Sequence, residues 1–229
     1  MAKMVKYYNG ALVEYEILKL VDFYDDILRK PTEPIKLESG ADRKYADYVA
    51  CSLAETMTKF RGIGLSANQV GIPYRVCAIN LGSESWVLFN PEVIERSGNE
   101  ANYPEGCLSY PGLYLNLKRP EHIKVKFQAI NGQWVEQEFD GLTAVCVQHE
   151  IDHLDGKVYT EQVSPIKLEQ AKRKVKTNLK KIKRFEDQEE LRIGKEKAAQ
   201  QKQSEGKISI LGGASDLLKK EPEKFVYNG

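Results

Sequence analysis

Residues 148–156 read QHEIDHLDG, and this stretch constrains the fold more than any other in the chain. On a helix, positions four apart lie one turn above each other, so the rings of His149 and His153 can converge on one ion. Leu142, Val145 and Cys146 precede them at i, i+3 and i+4, with the histidines at i+7 and i+11. That is one helical face passing from apolar to metal-ligating, and it predicts a helix that carries its ligands inward. Asp155-Gly156 supplies the stop, because glycine accepts the left-handed conformation that ends many helices. Polar groups turned inward must be wrapped by other elements. Glu150 projects at a neighbouring angle, which suits a general base acting on a water at the ion rather than another ligand. The alternative is two ordinary polar residues near a helix end, but the chain has only 3 histidines and two of them stand here.

Elements able to do the wrapping are legible upstream. In DRKYADYVACSLAETMTKF, the spacing of Tyr45, Val49, Leu53, Met57 and Phe60 predicts an amphipathic helix with a core-facing stripe and Asp42 near its start. RGIGLSANQVGIP then reads as a loop. YRVCAINL and ESWVLFNPEV read as strands, and HIKVKFQAINGQWVEQEF as two more joined by a two-residue Asn131-Gly132 turn. The first residues carry no clear pattern. The order predicts an α+β fold, antiparallel strands around a central metal-binding helix, followed by a C-terminal basic helix.

Residues 1–164 are expected to form the catalytic domain, 165–190 the basic helix, and 191–229 a charged, partly disordered tail. Ser164 and Pro165 suit a helix start, and Leu168, Ala171, Val175, Leu179 and Ile182 form an apolar stripe. Residues 165–229 carry 17 Lys+Arg against 10 Asp+Glu, although the whole chain has a formal net charge of only +1. The body is therefore acidic and the tail basic. No apolar run approaches the roughly 18 residues of a membrane span, and the start lacks the features of a secretory signal. A cytoplasmic protein with reduced thiols is expected, Cys51 and Cys77 being buried and inert.

A catalytic site of this kind normally takes three protein ligands. No histidine follows His153, and Glu161 and Glu169 lie in unremarkable contexts. Upstream, YPEGCLSYPG offers Cys107 between glycine and proline turns, where a thiolate can face a cavity. Cysteine with two histidines leaves a fourth position open for water.

Together, GIGLSANQ, EGCLS and QHEIDH, in that order, resemble the three signature motifs of the peptide deformylases, enzymes that remove the N-formyl group from nascent peptides. The resemblance spans about residues 17–164. It implies that Cys107, His149 and His153 hold a divalent metal, Fe(II) in cells, with Zn, Ni or Co compatible with the same ligands. It implies Glu150 as the base and later the proton donor to the amine, with the Gln69 amide and the Leu108 backbone N–H facing the oxyanion. Ile63, Gly64 and Gly106 would meet the peptide backbone as an added strand. Tyr103, Glu105, Leu142, Val145 and Cys146 match the methionine pocket, core packing being the other reading for Leu142 and Val145. Ser66 stands where the family usually has alanine, and VDFYDDILR lacks the proline often found before the arginine. N-formyl-methionyl nascent peptides are the implied partners, with ribosome contact through residues 165–190 and no membrane or DNA partner.

Two rivals remain at this level. An HExxH zinc peptidase would need a downstream ligand and would survive Cys107→Ser. A non-catalytic ribosome or RNA adaptor would need only the basic helix, and the intact motifs speak against it.

Overall fold

The structure, a computed structural model, describes residues 4–8, 10–38, 40–80, 82 and 84–217. Two compact units divide the chain, Met1–Asn178 and Leu179–Gly229. In the first unit, a hairpin of β1 (Met4–Tyr8) and β2 (Ala11–Tyr15) precedes helix α1 (Ala41–Lys59). Next come β3 (Gly64–Ser66), a 3-10 turn at Ala67–Val70, β4 (Val76–Asn80) and β5 (Ser85–Arg96). A second hairpin, β6 (Glu100–Cys107) with β7 (Tyr110–Pro120), leads into a third, β8 (His122–Gln128) with β9 (Trp134–Asp140). Helix α2 (Gly141–Leu154) follows β9 directly, and helix α3 runs over Pro165–Leu217.

All strand pairs are antiparallel, and the five-stranded sheet has the order β3-β4-β5-β8-β9. Along β8 the alternation reads directly as burial: Ile123, Val125 and Phe127 are buried, and the residues between them are half-exposed. These side chains meet Ala144, Val147, Ile151 and Leu154 of α2 in one core cluster. Helix α1 closes a separate cluster, with Val49, Leu53 and Met57 packed against Leu65, Val76 and Phe89. The predicted central helix is thus α2, covered on one face by the large sheet. On its other side stand β6 and β7, where Leu113, Leu115 and Leu117 pack with Leu28 and Tyr159 in a third cluster.

Several sequence expectations need correction. The turn between β8 and β9 takes three residues, not two. Ala129 N–H donates to Gln133 O at 2.9 Å, and Gly132 adopts a left-handed φ of 83° to finish the loop. The featureless start is a hairpin turned by Gly10. YPEGCLSYPG is not a chain of turns but the closed end of a long hairpin, which its prolines conceal. In a two-stranded sheet both strands are edges, so Pro104, Pro111 and Pro120 fit without breaking the ladder. Tyr45 and Phe60, expected in the core, are exposed because they lie at the two ends of α1, although Tyr45 stacks on Tyr48. Leu142 is 53% exposed in the first turn of α2, so the inward face begins at Val145.

Helix α3 starts at Pro165, as its Ser164-Pro165 signal predicts, and Leu168, Ala171 and Val175 pack against the first unit's third cluster. It shows no break at residue 190, since Arg192 is tied to Glu189 and Glu196 at helical spacing. In the second unit Leu179 is exposed. Residues 218–229 of the expected tail lie outside the described residues. Among the described residues no helix is long and apolar enough to cross a membrane.

Candidate active site

Cys107 owes its position to a break in register. Glu100 to Gly106 pair regularly with β7 as far as Tyr114, and then Cys107 pairs with Tyr110 across a bulge, at the last position before the Leu108-Ser109 turn. A bulge re-aims the side chain at its centre. The Cys107 sulfur thereby comes within 3.3 Å of His153 Nε2. Among the described residues, Cys107, His149 and His153 form a group whose donor atoms all lie within 4.8 Å of one another. Glu161 pairs instead with Arg29 and Glu169 with Lys172, so of the three candidates only Cys107 stands with the two histidines in a group that could hold an ion.

The donor set fits a borderline-soft divalent cation: one sulfur, two imidazole nitrogens, and no competing hydrogen bond on the key atom. His149 Nδ1–H donates to Glu105 Oε2 at 2.9 Å, which leaves Nε2 with its lone pair. That Nε2 is buried with no hydrogen-bond partner among the described residues, as a nitrogen reserved for an ion would be. The electrostatics agree. Burial opposes the Cys107 thiolate, but His153 and His149 outweigh it and hold the thiol well below its ordinary range, in the form that binds metal. Burial likewise pulls His149 down, yet the Cys107 sulfur and Glu105 push it up to about 10. A bound cation takes the place of those protons.

The family resemblance matches Glu105 to the methionine pocket. Its carboxylate is instead committed to a buried ion pair: Arg119 Nε donates to Oε1 at 2.6 Å and Nη2 to Oε2 at 2.8 Å. Burial alone would raise this carboxyl, but His149 and Arg119 outweigh it and hold it below its ordinary range. Arg119 also donates to Asp152 Oδ2 at 2.8 Å. The His149 ring is therefore oriented by a fork whose members come from β6, β7 and α2. Sequence reasoning missed Arg119 and Asp152. Asp152 lies inside HEIDH and was findable there; nothing local marks Arg119.

Glu150 is buried, and burial raises its carboxyl above the ordinary range against the opposing pull of His149 and His153. Its Oε2 accepts from Ser66 Oγ at 2.8 Å. Gly64 lies directly against it, because a Cβ there would run into Glu150 and meet Cys146 Sγ at 2.8 Å. Gln69 is buried with both ends of its amide engaged. Its Oε1 accepts from Ser66 N at 2.9 Å, and its Nε2 donates to Ser109 Oγ at 3.0 Å and Cys107 Sγ at 3.3 Å. Leu108 occupies the turn beside Cys107.

The remaining predicted residues differ in exposure. Ile63 is exposed while its carbonyl accepts from Cys146 Sγ, and Gly106 is exposed, yet a Cβ there would come within 2.7 Å of the Tyr114 ring. Tyr103 and Leu142 are exposed, whereas Val145 and Cys146 are buried. Cys51 and Cys77 are buried, burial pushes both thiols up, and all 4 cysteines are unbridged.

The polypeptide deformylase family model matches residues 17–169. A peptide deformylase of Alkalilimnicola ehrlichii is 41% identical over 163 residues, 69% of this chain and 89% of the relative. One from Chromobacterium violaceum is 38% identical over 168 residues, 72% of this chain and 95% of the relative. Among solved structures, a peptide deformylase from Legionella pneumophila superposes with a TM-score of 0.63 at 34% identity, covering 75% of this chain and 98% of that one. A peptide deformylase from Synechococcus elongatus in complex with actinonin gives 0.62 at 34% identity, covering 69% and 85%.

Proposed function

The chain belongs to the polypeptide deformylase family, and from that premise we propose the role of each of its own residues in removing the N-formyl group of a nascent peptide and releasing formate. The observation that carries the reading is the convergence of Cys107, His149 and His153 from β6 and α2 beside a buried Glu150. These three would hold the metal, Fe(II) in cells. When bound, the cation supplies Lewis acidity that polarises the formyl carbonyl and eases deprotonation of water.

Glu150 takes the proton of the attacking water and returns it to the departing amine, a task suited to a buried carboxyl whose affinity for protons is raised. Gln69 Nε2 and the Leu108 N–H face the oxygen on which negative charge develops. Gln69 Nε2 already donates to Ser109 Oγ and Cys107 Sγ, so it releases one of these, the longer contact to Cys107, as that charge appears. Exposed Ile63 and Gly106 with Gly64 line up the peptide backbone, while Tyr103, Leu142, Val145 and Cys146 border the methionine side chain. Glu105 acts here through His149, fixing its tautomer. The zinc-peptidase alternative loses its support, because both downstream glutamates are engaged elsewhere.

Residues 165–190 present a lysine-rich helix suited to a polyanion such as the ribosome, a contact that salt-dependent co-sedimentation with ribosomes tests. A cytoplasmic location accords with that partner. The reaction itself is tested by formate release from a formyl-methionyl peptide, using the full chain loaded with Fe(II) or Ni(II) without oxygen. Turnover that depends on Glu150 is expected; a fully metal-loaded protein that releases no formate overturns the reading.

A further inference from the structure

Ser66 stands between Glu150 and Gln69, the groups assigned above as base and oxyanion donor. Its hydroxyl lies 2.8 Å from Glu150 Oε2 and 3.0 Å from Gln69 Oε1, and the residue is fully buried. Alanine at this position would leave both contacts unmade. Its backbone N–H independently holds Gln69 Oε1 at 2.9 Å, so the link to the amide does not depend on which acceptor takes the hydroxyl proton. The anchoring follows from chain geometry: Ser66 ends β3 and caps the 3-10 turn on which Gln69 is the third residue, while Glu150 comes from α2.

From this junction we infer that Ser66 is a positioning residue that couples the base to the oxyanion donor; the inference rests on the functional reading above. A hydroxyl has one proton and two lone pairs, so it donates to only one of its two acceptors at a time. Ionised Glu150 is the stronger acceptor and takes that proton. With its proton directed at Glu150 Oε2 the Ser66 hydroxyl holds the carboxylate, and with its backbone N–H it holds Gln69 Oε1, so one residue fixes the base and the amide relative to each other. A donor on the carbonyl end of an amide polarises it, which strengthens Nε2–H as a donor.

Two measurements on the full-length protein test this. Ser66→Ala at equal metal occupancy is expected to lower kcat about tenfold, the loss for deleting a hydrogen bond to a charged group, with KM within about twofold of the parent. In the zinc-loaded protein, the Gln69 side-chain amide resonances are expected to move on Glu150→Gln, which presents a donor to Ser66. The shift should disappear when the same change is made in the Ser66→Ala background. Parental kcat in Ser66→Ala, an effect confined to KM, or a Gln69 shift equal in both backgrounds overturns the coupling. Should Ser66→Ala fail to fold, unmoved Gln69 resonances in the Glu150→Gln single variant overturn it alone. Absence of formate release by the parent protein would instead overturn the functional reading, and the resonance test would still stand apart from it.

Discussion

Glu105 and His149, separated by 44 positions, meet through a 2.9 Å hydrogen bond from Nδ1–H to Oε2 that aims the free Nε2 of the ring at Cys107 and His153. The carboxylate is in turn clamped by Arg119, so this pair converts a buried ion bridge into ligand orientation. Glu105→Gln keeps the shape but weakens the acceptor and the charge. Metal affinity is expected to fall about 10- to 100-fold, as measured by competition with a chromophoric chelator. Unchanged affinity would remove Glu105 from the metal's support.

Arg119→Leu should cost more stability than affinity. It strands the Glu105 carboxylate, whose side chain is nearly inaccessible, without its main counter-charge. Breaking one partner from such a buried pair typically costs about 3–5 kcal/mol, which denaturant unfolding of the parent and variant would register. A loss below about 1 kcal/mol would show that solvent reaches the pair.

Gln69→Ala separates catalysis from metal holding, since Gln69 touches Cys107 only through a long Nε2 contact and contributes no ligand atom. Losing one aimed donor costs about 3 kcal/mol of barrier, so kcat should drop on the order of a hundredfold with metal stoichiometry retained. Steady-state kinetics alongside metal analysis decides the matter. Cys107→Ser, by contrast, should lose both, because it replaces a soft thiolate that the two imidazoles keep ionised with a hydroxyl that they cannot.

Gly64→Ala tests the close approach of β3 to α2. The added methyl group meets Cys146 Sγ and Glu150, the proposed base, inside a packed region, where overpacking commonly costs about 1–3 kcal/mol. Both Tm and kcat are expected to fall. Combining it with Cys146→Ala should recover part of the Tm but little of the kcat, since Glu150 remains displaced.

A surface pair sets a modest pH dependence of stability. The hydrogen bond and charge of Asp140 raise His122 above its ordinary value of 6.5. The stabilisation is therefore complete below that unfolded value and lost as pH rises through the higher folded one. His122→Gln should lower Tm more at pH 5.5 than at pH 9, and added salt should shrink the difference because the pair is exposed. An equal effect at both pH values would exclude the linkage.

The sequence alone determined the local chemistry and its local geometry. Two histidines and a glutamate at helical spacing, a glycine stop after them and alternating apolar residues in β8 depend on the 3.6 and 2.0 periods of the backbone, which neighbours in the chain suffice to display. Motif resemblance then named Cys107 before any contact was visible. What only the tertiary structure decided is the set of partners that lie far apart in sequence: Arg119 on Glu105, Ser66 on Glu150, and the bulge that turns Cys107 toward His153. No local pattern encodes these, because a buried ion pair or hydroxyl contact is fixed by how sheets and helices stack, and a proline-rich edge hairpin looks like loop until its partner strand is known.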